Sequence, residues 1–188
     1  EIGMRNCRFD SAEMYEDIST LEQYKQAVLK GHDTRSALDV CYQYSRDNAR
    51  TPMQWSGEKN AGFTTGTPWF YVNPNYKEIN VQADLSSTKS IFRFYKELIA
   101  LRKKPEYEDI LIEGNTNPIY MEEDFVFAYE RISVNKNEKI IVISNYQNTK
   151  FKLRFEHPFE DVLLNNYDSL ECENEFLILE PYQTIVLK

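Results

Sequence analysis

The sequence predicts an α+β chain: helices first, a long irregular stretch in the middle and an antiparallel β-sandwich at the end. Three observations predict it. Apolar residues recur at helical spacing up to about residue 45 and again over 86–104. Between these stretches, from Arg46 to Leu85, no period holds. After Pro105 the period drops to two, in short runs broken by turn residues, the pattern of a sandwich or barrel.

Taken in order, the first helix is expected over 19–30. Ser19 stands three residues before Glu22, a capping-box spacing, and Leu21, Tyr24, Val28 and Leu29 share one face before Gly31 stops it. Asp33 or Thr34 caps a second helix whose buried side holds Ala37, Leu38, Cys41 and Tyr42. From Arg46 to Leu85 the chain carries Pro52, Gly57, Gly62, Gly66, Pro68 and Pro74 together with Trp55, Phe63, Trp69, Phe70, Tyr71 and Tyr76. So many aromatics in an aperiodic segment predict an ordered loop pinned to a body. A third helix over 86–104 is capped at Ser86, Ser87 or Thr88, presents Ile91, Tyr95, Leu98 and Ile99, and ends on Arg102-Lys103-Lys104 before Pro105. Strands are expected at Tyr107–Glu113, Pro118–Met121, Phe125–Ile132, Lys139–Asn145, Lys150–Phe155, Asp161–Leu164, Phe176–Leu179 and Thr184–Leu187. Gly114–Asn117, Asn135–Asn137 and Asn165-Asn166 are read as turns between them.

Composition narrows the function. The 188 residues are 41% hydrophobic and 28% charged, an ordinary globular balance. A net charge of −8 without a basic stripe argues against nucleic acid and anionic membranes as partners. No apolar run reaches the ~18 residues of a membrane helix. Cys7, Cys41 and Cys172 are odd in number and widely spaced, so neither a disulfide framework nor a Cys zinc site is expected, and a reducing cytoplasm is the simplest location. The chain opens Glu1-Ile2-Gly3-Met4, without an initiator methionine or a signal peptide's regions, which suggests a cleaved chain or a piece of something longer.

Scans for chemistry return little. There is no P-loop, dinucleotide fingerprint, H-E-x-x-H or G-x-S-x-G, and His32 and His157 are too far apart in sequence to suggest a metal site. No cofactor, metal or catalytic residue is expected. One constellation stands apart: Arg46-Asp47-Asn48-Ala49-Arg50, with two guanidinium groups four residues apart, on one face if the helix from Thr34 runs that far. A guanidinium is a permanently charged planar fork that can fix a hydroxyl pair or a carboxylate. Composition alone favours a plainer role, in which both arginines close salt bridges with neighbours such as Asp47.

The longer run Arg46-Asp47-Asn48-Ala49-Arg50-Thr51-Pro52-Met53-Gln54-Trp55 resembles the signature of the oligo-1,6-glucosidase group of α-glucosidases, in the α-amylase superfamily (glycoside hydrolase family 13). Asn60-Ala61-Gly62-Phe63-Thr64, Pro68-Trp69 and the run from Val72 to Val81 continue the likeness. It extends motif by motif over 1–104, including Glu1–Met4 as the segment after the barrel's eighth strand and Lys96–Lys103 as its final helix. Beyond 105 it rests on the strand pattern and on Leu163–Tyr167 and Leu179–Tyr182.

The resemblance implies that residues 1–104 are the last helices and long loop of a (β/α)8 barrel and that 105–188 are its C-terminal antiparallel sandwich. It places the nucleophilic aspartate, the acid/base glutamate and a second aspartate upstream of Glu1, in a missing N-terminal barrel, so this chain alone should be inactive. It implies that the parent is a retaining α-glucosidase cleaving α-1,6 or related bonds of a short α-glucosidic oligosaccharide. Trehalose-6-phosphate hydrolase, dextran glucosidase and sucrose isomerase share much of the motif. Arg46 matches a residue holding the terminal glucose, and Arg50 one lining the neighbouring pocket or closing a salt bridge. Members often have Asp after Gln-Trp; Ser56 stands there, a departure bearing on loop packing. Two roles from another class remain for 105–188: a glycan-binding sandwich, if Tyr120, Tyr146 and Tyr167 lie coplanar on one exposed face, or a sandwich that simply stabilises the barrel.

Overall fold

The structure is a computed structural model that describes residues 2–188; Glu1 of the opening run lies outside the described residues. The chain divides into two compact units, Glu1–Phe92 and Arg93–Lys188.

In the first unit, helix α1 spans Ile18–Leu29 and α2 spans Thr34–Tyr44. The cap of α1 is Asp17 rather than Ser19, because the Asp17 carboxylate accepts the Thr20 N–H and hydroxyl at 3.0 and 2.8 Å. Asp33 caps α2 through the Arg35 and Ser36 N–H groups. Ala37 and Cys41 are buried on the expected face of α2. The two helices are one-sided: Ile18 and Leu29 of α1 stay 82% and 78% exposed.

Cys7, Phe9, Tyr15, Cys41 and Phe70 form the core of this unit, with Phe9 edge-on to Tyr15 and Phe70 at 4.8 and 5.8 Å. Burial, followed by the neighbouring Cys41 and Cys7 thiols, pushes the Tyr15 hydroxyl up to about 12. Its buried hydroxyl makes no hydrogen bond among the described residues. A folded pKa above the unfolded value of about 10 means that the folded state keeps the proton longer. The associated stability is therefore complete below pH ~10 and lost as pH rises toward 12, by up to about 3 kcal/mol. Tyr15→Phe is expected to fold with undiminished stability at pH 7 and to flatten the decline between pH 10 and 12. Urea melts across that range check it, and an unchanged alkaline slope would refute the assignment.

The stretch from 46 to 85 is ordered, as the aromatics suggested, but it is punctuated by more helix than expected: 3-10 turns at Arg46–Ala49, Lys59–Gly62 and Pro74–Lys77, then helix α3, Val81–Ser86. Asn60, Ala61 and Gly62 all have positive φ, which lets the Ala61 carbonyl receive both the Trp55 and Ser56 N–H groups. A Cβ on Gly62 would sit 2.6 Å from the Ser56 hydroxyl oxygen, so the turn requires glycine. Ser56 is thus part of the loop's packing, and its hydroxyl accepts the Glu58 N–H.

Helix α4 spans Ile91–Arg102, starting later than the serines suggested. The Asp84 carboxylate, displayed by α3, receives the Ile91 and Phe92 N–H groups and supplies the cap. The division between the units falls near its start, whereas Leu101 near its end belongs to the core of the second unit.

The second unit holds the sandwich. Strands β1 Asn115–Ile119, β2 Val126–Ile132, β3 Lys139–Asn145, β4 Phe151–Arg154, β5 Val162–Asn165, β6 Glu171–Glu173, β7 Phe176–Leu179 and β8 Thr184–Leu187 make two antiparallel sheets, ordered β1-β2-β3-β8-β5 and β4-β7-β6. Between them lie Val126, Ala128, Ile141, Ile143, Ile185 and Leu187 from the larger sheet, and Leu153, Leu177 and Leu179 from the smaller. The opposite parity of the larger sheet (Ile140, Val186, Leu164) packs on Leu101, Tyr107 and Ile110. Each such Ile or Leu stabilises the fold by roughly 1.5–3 kcal/mol through lost water contact. Lys152 and Arg154 of β4 point to water and pair with Glu173 and Glu175.

Three expectations fail locally. Tyr107–Glu113 is not a strand but a 3-10 turn, Pro105–Tyr107, running into the short helix α5, Glu108–Leu111. Gly114–Asn117 is largely strand β1 rather than turn, and Asn165 closes β5 instead of opening a turn. Strand β6, with every residue exposed, had no apolar alternation to reveal it.

Candidate functional site

The arginine motif lies where α2 gives way to a tighter turn. Helix α2 stops at Tyr44, so the condition for a shared helical face is not met. Ser45 is extended, and its hydroxyl accepts the Asp47 N–H to cap the Arg46–Ala49 turn. The two arginines nevertheless converge on the first residue ahead of α1. Arg46 Nη2 lies 3.0 Å from Asp17 Oδ1, and Arg50 Nη2 lies 3.9 Å from the same oxygen. Arg50 also donates through Nη1 to Asp47 Oδ1 at 2.9 Å, the salt bridge that composition favoured. The side chain of Arg46 is 70% exposed and that of Arg50 is 42% exposed, whereas the two carboxylates are buried.

Asp47 is the anchor. Its Oδ2 accepts the Glu16 and Asp17 N–H groups at 2.8 and 2.9 Å, tying the entry of α1 to the exit of α2. The Thr20 hydroxyl that donates to Asp17 lies 2.9 Å from the Ser45 hydroxyl, which in turn receives the Asp47 N–H. A ring of short polar contacts therefore joins Asp17, Thr20, Ser45 and Asp47. Burial alone would raise the Asp17 carboxyl, but the Thr20 hydrogen bonds and the Arg46 charge outweigh it and hold the group below the usual carboxylate range. With their oxygens occupied by donors, Asp17 and Asp47 are acceptors fixed in place rather than reacting carboxylates.

The rest of the motif is scaffold. Asn48 accepts the Cys7 N–H and donates to the Tyr42 carbonyl. The fully buried Gln54 side chain donates through Nε2 to Asn75 Oδ1 and to the Ile79 carbonyl, and the backbone carbonyl of Gln54 receives the Val81 N–H. Asn73 bonds the Arg5 and Asn6 carbonyls, linking the Val72–Val81 run to the start of the chain. The buried amides fix the loop, which presents the two guanidinium groups to solvent together with the half-exposed rings of Trp55, Trp69 and Tyr71. Asp17 was missed by sequence reasoning, since nothing near it in sequence announces a partner for Arg46. The one available signal was an Asp placed to cap an apolar helix.

The tyrosines that could have made a glycan platform on the sandwich do not share an exposed face. Tyr120 packs on Phe155 at 6.4 Å and is only partly exposed; the Tyr167 hydroxyl donates to the Pro181 carbonyl; Tyr146 is exposed but lies edge-on to Phe127 at 82°. Among the described residues no group of three or more His, Cys, Asp or Glu is placed to hold a metal, and no helix is long and apolar enough to cross a membrane.

A loop fixed by buried amides, with two paired arginines at its surface, thus precedes an antiparallel sandwich. The profile described as the alpha-amylase catalytic domain matches residues 1–114, and the chain belongs to that family. It is 43% identical, over its whole length, to an oligo-1,6-glucosidase of Parageobacillus thermoglucosidasius, of which it covers 34%. It is 39% identical to a glucan 1,6-alpha-glucosidase of Streptococcus pneumoniae, again over its whole length and 34% of the relative. Among solved structures, trehalose-6-phosphate hydrolase of Bacillus licheniformis superposes with a TM-score of 0.87 at 35% identity, over 99% of this chain and 34% of that one. The chain thus spans about a third of the length of the relatives it matches.

Proposed function

We propose that this chain is the C-terminal portion of a retaining α-glucosidase that cleaves α-1,6 or related bonds at the nonreducing end of short oligosaccharides. The observation that carries the reading is the decapeptide Arg46–Trp55, whose buried residues build a loop and whose Arg46 is held at the surface by a fixed carboxylate. In this reading Arg46 grips hydroxyls of the terminal glucose and Arg50 lines the adjoining part of the pocket. Retention requires a nucleophile and an acid about 5–5.5 Å apart. The family resemblance assigns both to the barrel upstream. Residues 1–104 complete that barrel, and residues 105–188 are a sandwich that stabilises it. The apolar residues left exposed on α1 fit a face that the barrel would cover. A cytoplasmic location accords with three cysteines that form no disulfide.

The test is an assay of the intact protein on isomaltose and on an aryl α-glucoside, with the anomer of the released glucose followed by proton NMR. Hydrolysis with retention is expected, and turnover at the level of buffer for residues 1–188 alone. Inversion, or no release from either substrate, would defeat the reading; turnover by the chain alone would defeat its placement of the carboxylates. Faster cleavage of trehalose-6-phosphate than of isomaltose would move the substrate to that relative's.

A further inference from the structure

We propose that Asp17 is a positioning residue, one that sets the direction of the Arg46 guanidinium toward the glucose it is assigned to hold. This rests on the function proposed above. The two partners are unequal: the Asp17 side chain is 5% exposed and that of Arg46 70% exposed. The carboxylate is immobilised from three sides. Its Oδ2 takes the Thr20 N–H and hydroxyl, its own backbone N–H is held by Asp47 Oδ2, and its Oδ1 is left for Arg46 Nη2 at 3.0 Å. An arginine at the surface otherwise samples many rotamers, and ordering it on substrate costs entropy at each binding event. One contact with a fixed oxygen uses a single edge of the guanidinium, and the remaining N–H donors stay available to a ligand. Arg50 Nη2 lies 3.9 Å from the same oxygen, but its guanidinium is already committed to Asp47, so Arg46 is the nearer partner of Asp17 Oδ1.

The role separates from simple capping because Asn and Ser cap a helix as well as Asp does. Asp17→Asn and Asp17→Ser should therefore keep the fold of the intact protein, with a modestly lower melting temperature from the lost ion pair, while releasing Arg46. Both are expected to lower kcat/KM on isomaltose about tenfold, chiefly through KM. In an Arg46→Ala background the same substitutions should change kcat/KM less than about twofold, since the residue acts only through the arginine. If Arg46→Ala is impaired and Asp17→Asn is not, or if Asp17→Asn costs as much without Arg46 as with it, the positioning role is wrong while the site stands. If Arg46→Ala is itself unimpaired, the site assignment and this proposal fall together. Loss of folding in both Asp17 variants would show a structural residue and overturn the proposal.

Discussion

On the function proposed above, Arg46→Ala is expected to lower kcat/KM of the intact protein on a short α-1,6 substrate by about 2–4 kcal/mol, on the order of 30- to 1000-fold. The size follows from what is removed. Arg46 presents a charged fork at the surface, and a substrate closing over it would exclude water from a charge-assisted contact that is screened in the free state. The alanine also leaves Asp17 with an uncompensated buried charge that Arg50, at 3.9 Å and engaged by Asp47, is poorly placed to neutralise. Arg46→Lys should recover only part of the loss, because an ammonium is a point charge that cannot reach Asp17 and a pair of hydroxyls in one plane. Steady-state kinetics on the three proteins decide it. Wild-type kcat/KM for Arg46→Ala would make the arginine a salt-bridge residue of the turn and nothing more.

How much of this was legible in the sequence depends on whether the determining contact was local. Strands β3, β7 and β8 fall where alternation placed them, since Ile141, Ile143, Leu177, Leu179, Ile185 and Leu187 are buried by the parity that the sequence displays. The segment after Pro105 differs from the expected strand because Tyr107, Ile110 and Leu111 fit a helical spacing as well as a strand's, and the acidic first turn of α5 favours the helix. Strand β1 was hidden by Asn-Thr-Asn-Pro, a turn-like run tolerated because β1 is an edge strand on which Pro118 need not donate. The decapeptide resemblance points to Arg46 and Arg50, but the shared helical face does not form: the helix ends at Tyr44, and the guanidinium groups converge through a 3-10 turn instead. Asp17 and Asp47 acquire their roles only when the starts of α1 and the turn are brought together, a contact between distant parts of the chain that no local pattern records.

Asp47 should carry the larger structural consequence. Asp47→Ala removes the acceptor for the Glu16 and Asp17 N–H groups and for Arg50 at once, inside a site where Asp47 is fully buried. Each buried donor left without a partner costs about 1–3 kcal/mol, and a loss of about 3–5 kcal/mol is expected for the first unit. Asp47→Asn is the sharper test, because it preserves shape and volume. Every neighbour of the Asp47 oxygens is a donor: two backbone N–H groups on Oδ2 and a guanidinium on Oδ1. An amide, in either orientation, must aim an NH2 group at one of those edges, so it cannot satisfy both. Asp47→Asn should therefore lose most of what Asp47→Ala loses, unlike an ordinary exposed Asp→Asn change. Both tryptophans, Trp55 and Trp69, belong to the first unit, so urea unfolding followed by tryptophan fluorescence reports on it selectively. An unfolding free energy for Asp47→Asn within about 0.5 kcal/mol of that of the unsubstituted chain would show that water reaches these donors. The ring joining Asp17, Thr20, Ser45 and Asp47 would then be a surface feature, unable to hold Arg46 in one direction.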